Sequence, residues 1–96
     1  MKFKFHPEAE SEFCKAIEFY EQRETGLGQD FSIQVYSTIQ NIIAHPLAWP
    51  LIEDDLRRCI VNRFPFGILY SIEKDEIMIL AVMHLRRNPN YWKHRQ

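Results

Sequence analysis

Cysteine is scarce in this sequence, and long apolar runs are missing from it. Its two cysteines, Cys14 and Cys59, form no CxxC pair, which favours two free thiols over a structural disulfide. The longest apolar run, from Ile77 to Met83, is far too short to cross a bilayer, and no apolar signal core follows Met1. We therefore expect a cytoplasmic protein that does not enter a membrane.

Metal-binding patterns are missing as well. His6, His45 and His94 do not have the spacing of metal ligands, so we expect no metal and no cofactor. The chain does contain 46% apolar side chains, aromatic residues included. That content is sufficient for one compact core, and residues 1–96 are expected to form a single domain.

Charge is distributed unevenly along the chain. Residues 1–56 carry ten carboxylates and four Lys or Arg, a balance of −6, whereas residues 57–96 carry three carboxylates and eight Lys or Arg, a balance of +5. The last thirteen residues, from His84 to Gln96, contain four cations and no carboxylate. Such a basic pole attracts phosphate groups or an acidic protein surface through its local field, even at a formal net charge of −1.

The first half of the chain predicts a strand and two helices. MKFKF alternates Lys and Phe, as a half-buried strand does, and Pro7 with the glutamates after it favours a helix N-terminus. Apolar residues at helical spacing extend this helix to about Arg23. A second apolar set, from Phe31 to Ile42, predicts a second helix, and the short connection implies an antiparallel hairpin.

The second half predicts strands. The stretch PLAWPLIEDD, with two prolines and three carboxylates, is expected to be irregular. After it, Leu56–Arg63, Phe66–Ile72 and Ile77–Leu85 are rich in branched and aromatic residues and have short separators. Ile77–Met83 is apolar on both faces, which places it inside the sheet. The predicted fold is α+β in the order β-α-α-β-β-β, a helical hairpin packed on a small, mainly antiparallel sheet.

Three local motifs accompany this element order: paired arginines that open the second predicted strand, the run FPFGILY, and the tail VMHLRRNPNYW. Together they resemble the RelE/ParE toxin superfamily, and more narrowly its ParE-like branch, often labelled plasmid stabilisation proteins. The resemblance covers nearly the whole chain. It implies the toxin of a type II toxin–antitoxin system, which a cognate antitoxin protein binds and which reaches operator DNA only through that antitoxin.

The resemblance leaves two toxic mechanisms open. ParE-like members inhibit DNA gyrase, and RelE-like members enter the ribosome and cleave mRNA without a metal. A RelE-like site would use His84 as the proton carrier, Arg86 on the phosphate and Tyr91 as the C-terminal tyrosine. The candidates for binding a target or an antitoxin are basic and aromatic: Arg58, Arg63, Arg86, Arg87, Tyr91 and Trp92.

One position departs from the nuclease pattern. RelE-type nucleases carry a catalytic arginine on the third strand at about the position of Gly67. Loss of one such cationic donor costs about 2.7–4 kcal/mol of transition-state stabilisation. We therefore favour a gyrase-directed toxin that is not an enzyme. The first alternative is a metal-independent mRNA endoribonuclease, and the second is a non-toxic module that binds a protein partner.

Ordinary structural roles compete with these assignments. His84 is suited to capping the last strand, and Trp92 to docking the terminus on the core. Arg86 and Arg87 are suited to ion pairs with Asp54 or Asp55 across the sheet edge.

Overall fold

The fold is a helical hairpin on a five-stranded sheet. The computed structural model of the protein describes residues 1–88 and 90–95, so Pro89 of the tail motif lies outside the described residues. The elements are β1 (Lys2–Phe5), α1 (Pro7–Arg23), α2 (Leu27–Ala44), β2 (Leu51–Glu53), β3 (Leu56–Ile60), β4 (Phe66–Glu73), β5 (Glu76–His84) and one turn of 3₁₀ helix (Lys93–Arg95). The sheet order is β1-β5-β4-β3-β2, with β1 parallel to β5 and the other neighbours antiparallel. The predicted α+β architecture is confirmed.

Side chains fix the beginnings of both helices. His6 accepts a hydrogen bond from the backbone N–H of Glu8 at 3.1 Å and so caps α1. The carboxylate of Glu21 accepts hydrogen bonds from the N–H groups of Gly26 and Gly28 at 2.9 and 3.1 Å. These bonds satisfy donors at the start of α2 that have no partner within the helix. Glu21 of α1 thus ties the two helices together across their short connection.

Apolar side chains form two clusters, one on each face of the sheet. The helices cover the larger one, the helix-side core, which includes Phe13, Phe31 and Ile39. The smaller one, the second-face cluster, consists of Leu56, Leu69, Leu80, Ala81, Met83 and Trp92. Trp92 is 2% exposed, so the C-terminal segment docks on the face opposite the helices. Cys14 and Cys59 are free.

The segment expected to be irregular contains a strand, and that expectation was wrong for Leu51–Glu53. This edge strand pairs with β3 through a register shift. Two side chains of the sheet hold the loop before it: Tyr70 donates to the carbonyl of Pro46 at 2.7 Å, and Arg57 donates to that of Trp49 at 2.6 Å. These long-range bonds leave no local pattern in the sequence. No helix within residues 1–88 and 90–95 is long and apolar enough to span a bilayer.

Only half of β5 is paired on its outer edge. The pairing of β1 with β5 ends at Ile79, whose carbonyl accepts from the N–H of His6 at 2.8 Å. A bulge follows, because Tyr70 lies opposite Ile79 and Leu69 opposite Ala81, which leaves Leu80 without a partner in β4. Beyond this bulge the outer edge of β5 is free to bond with other elements.

Candidate functional site

Glu12 of α1 and Arg95 of the C-terminal segment close the free half of the β5 edge. Glu12 accepts a hydrogen bond from the N–H of Val82 at 3.1 Å. Arg95 donates to both oxygens of Glu12, at 2.8 and 3.1 Å, and to the carbonyl of Leu80 at 3.1 Å. The side chains of Arg95 and Glu12 are only 5% and 13% exposed. A bidentate, shielded pair of this kind fixes the terminal segment against the sheet.

Acidic residues of α1 also neutralise other cations of the tail. His94 Nε2 lies 2.7 Å from a carboxylate oxygen of Glu8, and Arg87 Nη1 lies 3.8 Å from Glu12 Oε2. The hydrogen bond to His94 lowers the pKa of Glu8, and the neighbouring cations lower it further. Much of the positive charge that the sequence concentrates near its end is therefore balanced inside the molecule. The expected pairing of Arg87 with Asp54 or Asp55 is replaced by this contact with α1.

Tyr91 is packed between two arginines. The guanidinium carbons of Arg87 and Arg95 lie 3.9 and 5.0 Å from the centre of its ring. Its hydroxyl oxygen is buried and has no hydrogen-bond partner in the described part of the chain. Burial raises the pKa of Tyr91, and the nearby Glu12 carboxylate raises it further. A neutral, buried phenol is poorly suited to carry a proton to or from a substrate.

His84 lies apart from that phenol. Its Nδ1 accepts a hydrogen bond from the N–H of Arg86 at 3.1 Å, and its ring packs edge-on against Phe66. His84 lines a cavity of about 330 Å³ between α1 and β5, together with Glu12, Lys15 and Arg87. Among the described residues, neither Arg86 nor Tyr91 lines this cavity. The three residues predicted for catalysis thus do not converge on one pocket.

Gly67 of β4 stands at about the position where RelE-type nucleases carry a catalytic arginine, and its surroundings lie on the face of the sheet opposite the helices. A Cβ atom on Gly67 would lie 3.2 Å from both Cγ and Cδ of Arg58 and 3.4 Å from Cδ2 of Leu85. The aliphatic stem of Arg58, on the neighbouring strand, therefore occupies the space above Gly67. A long side chain at position 67 would fit only if Arg58 moved away.

Around Arg58 the second face of the sheet is partly uncovered. A groove of about 410 Å³ opens there, lined by Ile52, Glu53, Arg58, Met83, Asn90 and Trp92. Ile60, which pairs with Gly67, and Leu85, whose Cδ2 lies close to Gly67, add apolar surface beside the groove and are 48% and 40% exposed. Within residues 1–88 and 90–95, the guanidinium of Arg58 makes no hydrogen bond and no ion pair. We call this surface, with Gly67 in its floor, the Arg58 groove.

Charges are separated along the strand direction. At one end, the turns beside β2 and between β4 and β5 carry the acidic residues of the sheet, namely Asp54, Asp55, Glu73, Asp75 and Glu76. The opposite end, formed by the β3–β4 loop and the end of β5, has no carboxylate of its own and carries Arg63 and Arg86. Neither arginine forms an ion pair with any described residue. Arg63 and Arg86 thus form an open basic surface at the acid-free end of the sheet.

Sequence reasoning found some of this arrangement and missed its central pair. Of the predicted binding residues, Arg58, Arg63 and Arg86 make no ion pair with a described residue. Arg87 is also exposed but contacts Glu12 and stacks on the partly buried Tyr91, and Trp92 is buried. Binding by any of them stays a prediction. Glu12 and Arg95 were missed because they are 83 positions apart, and no local pattern links them.

The chain is similar to known proteins over nearly its whole length. The family model that matches the chain is described as "ParE toxin of type II toxin-antitoxin system, parDE", and it covers residues 3–89. A solved structure described as "Chromosomal ParDE TA system from P. aeruginosa" contains a chain similar in fold, with a TM-score of 0.74 at 18% identity. The match covers 90% of this chain and 97% of that chain. No curated protein matches the sequence.

Proposed function

Because this chain belongs to the ParE toxin family of parDE type II toxin–antitoxin systems, we propose that it arrests growth by inhibiting DNA gyrase and does not cleave mRNA. The observation that carries this proposal is the dispersal of the residues a nuclease would need. The hydroxyl of Tyr91 is buried, and among the described residues neither Tyr91 nor Arg86 lines the cavity that contains His84. The stem of Arg58 also lies over Gly67.

The chemistry of RNA cleavage explains why this dispersal matters. Attack of a ribose 2′-hydroxyl on the adjacent phosphate needs cationic donors that face the developing charge, and a group that carries protons within hydrogen-bond reach. Arg87 contacts the Glu12 carboxylate at 3.8 Å, and Tyr91 and Arg86 do not line the cavity beside His84 among the described residues. Inhibition of a protein target needs only a complementary surface, which the open arginines and exposed apolar residues of the sheet supply.

The partners follow from the family. We propose that a cognate antitoxin binds this protein and masks its basic surface in the cytoplasm. Operator DNA is contacted through the antitoxin, because the open cations at the acid-free end of the sheet are few. The described helices also offer no segment suited to membrane insertion.

One observation favours the alternative of mRNA cleavage. His84 lines the cavity between α1 and β5 together with Lys15 and Arg87, which combines a proton carrier with two cations. Arg95 lines the same cavity, however, together with Glu8 and Glu12, and these two carboxylates offset most of the positive charge that would attract a phosphate backbone. A ribosome-dependent nuclease is therefore the second candidate.

A supercoiling assay separates the two candidates. Purified protein is added to purified gyrase with relaxed plasmid and ATP, and in parallel to ribosomes programmed with mRNA. We expect loss of supercoiling with mRNA left intact. Full supercoiling activity together with cleaved mRNA would reverse the assignment.

A further inference from the structure

Arg58 is an arginine whose position is not explained by contacts within the molecule. Its neighbour Arg57 donates to backbone carbonyls, and Arg95 is bound by Glu12. In the part of the chain that the structure describes, Arg58 has no such partner, although it is partly buried among apolar side chains. The stem of Arg58 is held against the sheet beside Gly67, so its unpaired guanidinium is positioned to bind an anion that a ligand supplies.

We propose that the Arg58 groove receives an acidic side chain of gyrase, flanked by apolar residues of the same segment, and that Arg58 anchors the toxin on this target. The inference rests on the gyrase function proposed above and names the surface that performs it. A carboxylate accepts two parallel hydrogen bonds from a guanidinium. Burial of the pair beside Ile60 and Leu85 shields it from water and strengthens it.

The apolar surroundings of Arg58 favour a protein over a nucleic acid. Ile60 and Leu85 present exposed apolar surface beside the groove, and Met83 lies in its floor. Arginine beside apolar side chains is the composition typical of protein interface centres. A phosphate backbone carries a charge on every nucleotide and would meet only one unpaired cation among the described residues of this groove, because the Glu53 carboxylate there is paired with Lys93 Nζ at 3.5 Å.

Gly67 has a direct part in shaping this surface. It lies opposite Ile60 in β3 and Met83 in β5, in the row of the sheet that forms the floor. Because it has no side chain, the stem of Arg58 crosses directly over the backbone. Gly67, which stands where RelE-type nucleases carry an arginine, therefore leaves the space that the stem of Arg58 occupies.

The test compares binding of four variants to purified gyrase. Arg58→Glu and Ile60→Glu alter the groove, and each has a control elsewhere. Arg23→Glu makes the same charge change at an exposed site of α1, and Ile33→Glu alters an isoleucine of α2 that is 53% exposed, close to the 48% of Ile60. We expect Arg58→Glu to raise the Kd at least about 30-fold, as reversal of a buried charge partner does. Ile60→Glu should also weaken binding, because it places a carboxylate in an apolar contact and beside the acidic side chain of the partner. Both controls should bind like wild type.

Three outcomes are distinguishable. Weak binding by the groove variants alone, with melting temperatures like that of wild type, supports the inference. If Arg58→Glu melts early, Arg58→Gln removes the charge with less perturbation and is expected to weaken binding about tenfold. If the groove variants are folded and bind gyrase with wild-type affinity, the Arg58 groove is not the binding surface, and the proposed gyrase function is unaffected. Absence of binding by the wild-type protein itself overturns the gyrase function and, with it, this assignment of the groove.

Discussion

At the residue scale, Glu12 organises the candidate site more than any residue that the sequence motifs identify. It joins the backbone of β5, the tail arginine Arg95 and the loop arginine Arg87. Its position in α1 gives no sign of this role, because five other glutamates precede or follow it on the same helix and its connection. A carboxylate becomes a structural centre through its partners in space, and these lie at the other end of the chain.

Removal of Glu12 should destabilise the protein strongly. Glu12→Ala leaves the shielded guanidinium of Arg95 without its bidentate partner and frees the N–H of Val82, so we expect a loss of about 3–5 kcal/mol in the free energy of unfolding. Glu10→Ala, two positions away and exposed, is the control and should cost less than about 0.5 kcal/mol. Urea unfolding of both variants measures the difference, and equal costs would contradict the role of Glu12.

Cys59 gives a second prediction, for alkaline solution. Burial raises the pKa of this thiol from 9.0 to about 11. The Cys59 thiol therefore loses its proton at lower pH in the unfolded chain than in the folded one. The contribution of this thiol to the free energy of unfolding is complete below pH 9 and is lost as pH rises through about 11. We expect stability to fall by about 1–2 kcal/mol over this window from Cys59 alone.

The contribution of Cys59 can be isolated by comparing how steeply the free energy of unfolding falls with pH in wild type and in a variant. The free energy of unfolding of wild type and Cys59→Ala is measured at several pH values between 8 and 11.5. The variant should lose less stability on this interval, whatever its absolute stability. Burial also raises the pKa values of Tyr20 and Tyr70, so a residual slope in the variant is expected. Parallel curves would mean that Cys59 does not contribute.

At the element scale, the helical hairpin depends on one close approach. A Cβ atom on Gly28 would lie 2.5 Å from the carbonyl oxygen of Ile17 and 2.9 Å from Cβ of Glu21. Both are parts of α1 that cannot move without shifting the helix. Gly26 is different, because a Cβ there meets nothing within 4 Å, but its φ of +90° is unfavourable for a side chain.

Substitution by alanine should lower the free energy of unfolding by different amounts at these two glycines. Gly28→Ala forces the helices apart and should cost about 1–3 kcal/mol, as overpacking does. Gly26→Ala meets no neighbouring atom, but it places a side chain on a left-handed backbone, which lowers the free energy of unfolding by about 1 kcal/mol. Denaturant unfolding of both variants ranks the costs. A Gly28→Ala variant as stable as wild type would show that α1 and α2 do not need this contact.

Most elements were predictable because their patterns are local. The apolar spacing of α1, from Ala9 to Tyr20, and its start at Pro7 with the glutamates after it are readable from sequence alone, whereas the cap that His6 provides was not predicted. The strand Leu51–Glu53 was not predictable. It is three residues long and follows Pro50, and Arg57 and Tyr70 from distant positions hold its preceding loop. Its existence depends on tertiary hydrogen bonds, which local propensity does not contain.

At the scale of the whole molecule, folding redistributes the charge that the sequence separates. The sequence places its acids in the first half and its cations in the second. In the structure, α1 brings Glu8 and Glu12 against the tail, where they bind His94 and Arg95. Arg58, Arg63 and Arg86 stay open, on β3 and at the acid-free end of the sheet. A linear charge count predicts that a basic surface exists, but only the fold decides which arginines form it.

The central claim is that this toxin acts on DNA topology and not on mRNA, and pulse labelling in cells tests it most directly. The chain is induced from a tight promoter without antitoxin, and incorporation of thymidine and of amino acids is followed over the first minutes. The account predicts that thymidine incorporation falls first while protein synthesis continues. Collapse of amino-acid incorporation before that of thymidine would contradict it and would restore His84 and the cavity beside α1 as the site of a nuclease.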